Sequence, residues 1–251
     1  MKRILNLKKS PPEEARVMVK ATGGDRSAKT IRPKKHRILL VDDHPIVRQG
    51  LAELISRQQD LTVCGEAEDG ATAMEISRKL RPDLAVIDVS LRGASGLDLI
   101  KDMQAQIPSL PLLVLSMHDE SLYAERALRA GARGYIMKQE ASNKILDGIR
   151  GVLKGETIVS PTIKERLLRQ ILRTEAPAAH SYLEELSDRE LEVFRLIGDG
   201  VSTSQIAQRL CLSVKTIETY REKLKQKLNL SSGAELLQHA ITVSKTNSAF
   251  R

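Results

Sequence analysis

From residue 37 onward, short apolar runs alternate with stretches whose apolar residues recur every three or four positions. The runs are RILLV (37–41), LTVCGEA (61–67), LAVID (84–88), LPLLVLS (110–116) and GYIMK (134–138). PIVRQGLAELISRQ, GATAMEISRKL, SGLDLIKDMQ and SLYAERALRAG, which lie between them, have helical spacing, and SNKILDGIRGVLKG follows the last run. Five rounds of strand then helix predict a parallel sheet with helices on both faces. Strands that are apolar almost throughout suit a sheet buried on both sides. The pattern changes after residue 154. PTIKERLLRQIL is one further helical stretch, the small residues of EAPAAHS mark a linker, and every segment from LSDRELEV onward is helical. Ser187 and Glu190 have the spacing of a capping box. LEVFRLIGDG, SQIAQRL, VKTIETYREKLKQKL and GAELLQHAITV then predict four helices.

Composition narrows the class without changing that outline. A chain of 251 residues, 41% hydrophobic and 29% charged, is long enough for one to two globular domains. Its apolar runs fall far short of the roughly 18 residues of a membrane span. MKRILNLKKS has too short an apolar stretch for a secretory signal, so a cytoplasmic protein with no membrane association is expected. Cys64 and Cys211 match no metal spacing and are expected to be reduced core residues. The net charge of +8 is uneven: residues 1–36 hold 11 Lys/Arg against 3 Asp/Glu, and the rest of the chain sums to zero. Scattered Pro and Gly in that basic stretch predict a disordered extension, with polyanion binding as one possible use.

Candidate chemistry gathers at the strand ends. Asp42 and Asp43 end the first strand, and Asp88 ends the third. In an open sheet of order 2-1-3-4-5 the first and third strands are neighbours, and their carboxyl ends meet at the switch point where such folds bind ligands. Three carboxylates at one point repel unless a cation joins them. Oxygen-only ligands with open positions suit Mg²⁺. Ser116 ends the fourth strand and offers a hydroxyl to an oxyanion, while Lys138 ends the fifth and brings an ammonium. Together these groups make a site for phosphoryl transfer to Asp88.

VDDHP, VIDVSLRGASGLDL, LVLSMHDE and RALRAGARGYIMKQ stand in the order and spacing of a two-component receiver domain, which residues 37–154 resemble. The whole of 37–243 resembles a response regulator of the NarL/FixJ type. The resemblance implies a flavodoxin-like α/β fold with a five-stranded parallel sheet. It also implies that Asp88 is the phosphoacceptor and that Asp42, Asp43, Asp88 and the Ser90 carbonyl bind Mg²⁺. Ser116 and Lys138 would bind the phosphoryl group, and Tyr135 would turn inward as the serine moves. Two positions depart from the common pattern: Arg92 and Gln139 stand where proline is usual. A cis bond before a residue other than proline costs roughly 3–4 kcal/mol, which argues against one before Gln139.

In residues 202–229 a helix, a tight turn and a second helix follow one another, with Ser213 as a cap. Ile217, Leu224 and Leu228 make one apolar stripe of the second helix. Lys215, Glu218, Thr219 and Glu222 lie on its polar face, flanked by Arg221, Lys223, Lys225 and Lys227. Short polar groups for base edges and cations for phosphates are what a major-groove helix needs. LSDRELEVFRLIGDGVSTSQIAQRLCLSVKTIETYREKLKQKLNL is similar, almost position by position, to LuxR-type helix-turn-helix domains. That similarity implies an all-α four-helix domain in which Lys215, Glu218, Thr219 and Glu222 face bases. Thr216, Tyr220, Arg221 and Lys225 would stand nearer phosphates. Ala234, Leu237 and Ala240/Ile241 are expected on one face of the last helix, which in relatives pairs two DNA-binding domains.

The expected organisation is an extension (1–35), a receiver domain (36–154), a partly helical linker (155–182), a helix-turn-helix domain (183–245) and a tail (246–251). The reading is a transcription regulator, not an enzyme, phosphorylated by a sensor histidine kinase and binding promoter DNA as a homodimer. A Mg²⁺-dependent hydrolase with an aspartyl-phosphate intermediate would use the same ingredients, but no insert supplies a substrate cap. In a third reading the basic extension is the main polyanion binder.

Overall fold

The computed structural model describes residues 35–91, 93, 95–172 and 181–249. Residues 1–34 of the expected extension, Arg92, residues 173–180 of the expected linker and the end of the expected tail lie outside the described residues.

Five parallel strands, β1 (His36–Val41), β2 (Leu61–Ala67), β3 (Leu84–Ile87), β4 (Leu112–Ser116) and β5 (Gly134–Met137), form one sheet in the order 2-1-3-4-5. They alternate with α1 (Pro45–Ser56), α2 (Gly70–Leu80), α3 (Gly96–Gln106), α4 (Glu120–Ala130) and α5 (Ala141–Leu153). Successive side chains of a strand point to opposite faces. Ile38, Leu40, Val86 and Leu113 therefore pack under α1 and α5, while Leu39, Val41, Ile87 and Val114 pack under the other helices. Asp69, Ser95 and Asp119 cap α2, α3 and α4, each accepting a backbone N–H of the first turn. The predicted strands are right in number and order and differ at their ends. Strand β4 begins at Leu112 because Pro111 has no N–H to donate to the ladder. Asp88 and Lys138 each stand one residue beyond their strands. The bond before Gln139 is trans.

Residues 156–159 return beside the sheet. Tyr135 N–H donates to Ile158 O (2.7 Å) and Ile158 N–H to Arg133 O (2.9 Å), so this segment lies along the outer edge of β5. It leads into α6 (Pro161–Ile171), which packs on α4 through the buried Ile163 and through Arg166 donating to Ser121 O.

The short α7 (Ser181–Glu184) precedes α8 (Asp188–Gly198), α9 (Thr203–Arg209), α10 (Val214–Lys227) and α11 (Gly233–Ala249). Ser187 and Glu190 form the predicted capping box, and Ser202 with Gln205 forms a second one. Ser213 caps α10. Two expectations fail here. Cys211 is exposed rather than in the core: the turn between α9 and α10 puts it at φ 52°, a left-handed position whose side chain faces outward. Cys64 is half-buried. In α11, Leu236, Ala240 and Val243 face α8, whereas Ala234 and Leu237 are exposed, so Ala240 does not share their face. The helix also runs to Ala249, through the start of the expected tail, where no Pro or Gly interrupts it. No helix among the described residues is long and apolar enough to cross a membrane.

One glycine joins the fold to the strand-end chemistry. A Cβ on Gly96 would lie 2.1 Å from Asp88 O and 2.7 Å from Val89 Cα, both backbone atoms. Gly96→Ala is therefore expected to lower stability by about 1–3 kcal/mol in urea unfolding. Gly50→Ala in α1, where nothing lies within 4 Å, is expected to raise it by about 0.5–1 kcal/mol.

Candidate functional site

The carboxyl ends of β1 and β3 converge as neighbouring strands must. Asp88 N–H donates to Val41 O (2.8 Å), which locks the two ends together one residue before Asp42. Asp42 and Asp88 are almost fully buried, and Lys138 Nζ lies 2.7 Å from an Oδ2 of each. Asp88 Oδ1 accepts the Ser90 N–H (3.2 Å), and Asp42 Oδ1 accepts the His44 N–H (2.9 Å). Burial pushes Asp88 up to about 6, against the downward pull of Lys138, with Asp42 adding to the rise. Burial lowers Lys138 as well, but Asp88 and Asp42 outweigh it and leave the ammonium above its ordinary value.

Asp43 is the third carboxylate. Its Oδ1 is buried and lies 2.8 Å from His44 Nδ1 without a well-aligned hydrogen bond. Asp42, Asp43, His44 and Asp88 each offer a ligand atom, all within 4.8 Å of one another. A crowded set of hard oxygens with one of them unsatisfied is the donor chemistry that a small divalent cation takes. The residues fit Mg²⁺.

Ser116, paired across the sheet with Met137, is fully buried, its Oγ accepting the His118 N–H at 3.1 Å. Tyr135 is also buried, and its hydroxyl donates to His118 O (2.9 Å). His118 also meets Ser90 Oγ through Nε2 and stacks on Tyr123 at 4.7 Å. Burial, then the charges of Arg195 and Lys138, push its imidazole down to about 3. His118 thus links the loop after β3, Ser116, Tyr135 and α4. Strand periodicity does not single it out, although its place two residues after Ser116 was a signal.

Helix α4 is bound to the helical region in turn. Arg126 Nη1 donates to Leu186 O (2.8 Å) and Asp188 Oδ1 (2.9 Å), and Nη2 donates to Leu183 O (2.6 Å). Lys101 of α3 donates to Asp188 Oδ2 (2.6 Å), and Arg189 of α8 donates to Gly93 O (2.9 Å). None of these contacts was legible in the sequence, because most of the acceptors are backbone carbonyls.

On α10, Lys215, Glu218, Thr219 and Glu222 are all exposed on one face, and Ile217 and Leu224 are buried on the other. Thr216, Tyr220, Arg221 and Lys225 flank the exposed face and are half-buried. Val214 at the start of the helix is half-exposed and was not singled out by sequence. Lys227 Nζ donates to Glu190 Oε2 (2.7 Å) and to Glu185 O, tying the end of α10 to the start of α8.

Comparison with known proteins gives two family matches: a response regulator receiver domain over residues 38–150, and the bacterial regulatory proteins of the luxR family over 184–240. The chain is similar to the oxygen regulatory protein NreC of Staphylococcus carnosus, 34% identical over 209 residues, covering 82% of this chain and 96% of that protein. It is 32% identical to the response regulator GacA of Pseudomonas aeruginosa over 206 residues, 82% of this chain and 95% of that one. Among solved structures it is similar to RcsB of Salmonella enterica serovar Typhimurium bound to the promoter rprA in the presence of a phosphomimetic. The TM-score is 0.57 and the identity 27%, with 82% of this chain and 98% of that chain covered.

The Glu190–Lys227 contact carries a pH signature. Burial raises Glu190, but the hydrogen bonds from Lys227 and Ser187 outweigh it and hold the carboxyl below its usual 4.5. A depressed carboxyl stabilises the fold above its unfolded value and loses that contribution as pH falls through the folded one. Thermal midpoints of the parent and Glu190→Gln are therefore expected to differ at pH 6 and to converge as pH drops below about 4.5.

Proposed function

The chain belongs to the response regulators that join a receiver domain to a LuxR-type DNA-binding domain, and on that premise we propose that phosphorylation of Asp88 controls its binding to promoter DNA. The observation that carries this reading is the Asp42–Lys138–Asp88 arrangement, with Asp43 beside it, at the sheet's switch point. Asp42, Asp43, Asp88 and the Ser90 carbonyl would hold Mg²⁺. Bound there, it would offset the repulsion among these carboxylates and the charge on the phosphoryl oxygens.

A sensor histidine kinase is the proposed donor. A carboxylate oxygen of Asp88 forms the new bond to phosphorus as the bond to the donor's nitrogen breaks. Lys138, now on Asp88 Oδ2, moves its hydrogen bond to a phosphoryl oxygen. Ser116 Oγ turns from accepting the His118 N–H to donating to another. That turn withdraws the support of His118, to which Tyr135, Ser90 and Tyr123 are joined. The β4–α4 loop and the start of α4 shift, and Arg126 on α4 then loses its fit to Leu183, Leu186 and Asp188. The two domains loosen, and the exposed face of α11 around Leu237 pairs two copies, so that two α10 helices read two half-sites. The family consists of transcription regulators rather than enzymes, and the proposed place of action is the bacterial cytoplasm, on promoter DNA.

Purified protein given a small-molecule phosphodonor and Mg²⁺ is expected to gain a phosphoryl group and bind its selected DNA more tightly. Asp88→Ala is expected to show neither change, and removing Mg²⁺ with a chelator is expected to block phosphorylation of the parent. DNA binding that ignores both treatments overturns the reading. Arg126→Ala is expected to leave phosphorylation intact while raising DNA binding without phosphate, as measured by fluorescence anisotropy. Glu218→Ala or Glu222→Ala is expected to change the ranking of DNA sites, because a carboxylate on the reading face accepts from cytosine and repels phosphate.

A further inference from the structure

Among the described residues, three buried side-chain atoms have no hydrogen-bond partner: Asp43 Oδ1, Tyr123 Oη and Arg195 Nε. The first belongs to the acidic cluster. The other two belong to residues that line one cavity of about 240 Å³ between the receiver and the helical domain. Tyr123 of α4 is 2% exposed, and Met117 and Leu122 share its side of the cavity. Phe194 and Arg195 of α8 and Val243 of α11 form the wall contributed by the helical domain. Buried polar groups of folded proteins are nearly always paired, because an unmade bond leaves the cost of lost hydration standing. Two such groups at one space mark it as a site that something else completes.

Both groups call for the same kind of atom. A guanidinium N–H can only donate, and a phenol O–H donates to whatever acceptor reaches it. Burial pushes the Tyr123 phenol up to about 12, against the pull of the Arg195 charge, so the hydroxyl keeps its proton. The acceptor needs no charge of its own. Arg195 already has a carboxylate, since its Nη1 donates to Asp199 Oδ2 at 2.6 Å. Asp119 brings a second carboxylate to the wall, with Oδ1 taken by the Ser121 N–H. His118 beside it is held down to about 3, mainly by burial, and is neutral. One cation against two carboxylates disfavours an anion there. The rest of the wall is mostly apolar, and Met117 is 54% exposed, with apolar surface left to cover. On the scale where a cavity of about 150 Å³ holds a benzene, this one suits about ten non-hydrogen atoms.

We propose that this cavity binds a small uncharged molecule carrying one carbonyl oxygen on a compact apolar body. The oxygen accepts from Tyr123 Oη and Arg195 Nε, and the body packs against Leu122, Phe194 and Val243. Because the wall is drawn from both domains, such a ligand binds the closed junction and is released when the domains part. The release rests on the proposed loosening of the junction; the binding does not.

The test titrates the full chain calorimetrically with three probes of one shape. Acetophenone carries the carbonyl, α-methylstyrene has a methylene group in place of its oxygen, and benzoate carries a negative charge. Acetophenone is expected to bind once per chain with a dissociation constant below about 1 mM. The other two are each expected to bind more weakly by about tenfold or more. Tyr123→Phe and Arg195→Lys are expected to weaken acetophenone by about 3- to 10-fold each and to leave α-methylstyrene unchanged. Tyr123→Phe removes an unpaired buried hydroxyl, so its thermal midpoint without ligand is expected to equal or exceed that of the parent. No saturable binding of acetophenone, or equal binding of acetophenone and α-methylstyrene, overturns the proposal and leaves water as the partner of the two donors. Benzoate binding more tightly than acetophenone overturns it too, as does acetophenone affinity unchanged in Tyr123→Phe. A phosphodonor with Mg²⁺ is expected to weaken acetophenone by about tenfold. Unchanged affinity in that arm alone would count against the loosening of the junction and leave the site standing.

Discussion

Lys138 places one ammonium between two buried carboxylates, 2.7 Å from Asp42 and 2.7 Å from Asp88. Either acid alone in that position would face a desolvation penalty of several kcal/mol with nothing opposite it. The lysine stands just beyond β5, and the acids stand beyond β1 and β3, so a single charge holds together the ends of three strands. One ammonium against two carboxylates leaves the cluster short of neutrality, and Asp43 adds a third carboxylate. That residual negative charge, with the unsatisfied Asp43 oxygen, makes the pocket receptive to a divalent cation, and burial holds Asp88 up at about 6.

How much of this could be read from the chain follows from which interactions leave a side-chain signature. Asp42, Asp43, Asp88, Ser116 and Lys138 were legible because parallel strands bring their carboxyl ends to one edge, and polar residues after apolar runs stand out there. The number of strands and the polar face of α10 were legible from periodicity, whereas the strand order came with the resemblance to a receiver domain. Arg126 was not: it reads as an ordinary helical arginine, and two of its three acceptors are the carbonyls of Leu183 and Leu186. His118 was hidden in a loop, with its meaning set by four contacts from separate elements. Cys211 and Ala240 were misplaced for the opposite reason. Both are apolar enough for a core, but a left-handed turn turns the first outward, and helix phase turns the second inward.

The contacts around α4 join the buried carboxylate of Asp88 to the helical domain. Every step is a hydrogen bond or a packed ring, and the path from Ser116 through His118 to α4 contains no exposed side chain to blur it with solvent. The segment around Ile158 binds the backbone of Tyr135 directly, so the linker helix α6 reports on the same strand. The polar face of α10 is exposed while these contacts are in place.

Asp188 stands in the first turn of α8, where backbone N–H groups already favour a negative charge. Separation from Lys101 and Arg126 would return that carboxylate to water without stranding it, and the box of Ser187 and Glu190 would stay closed beside it. Arg126, by contrast, would leave three acceptors behind with no second cation of the same shape to replace it. A lysine there has no planar fork to span a carboxylate and two carbonyls. A change at position 126 thus removes the partner of three acceptors at once, whereas a change at Asp188 leaves Arg126 the carbonyls of Leu183 and Leu186.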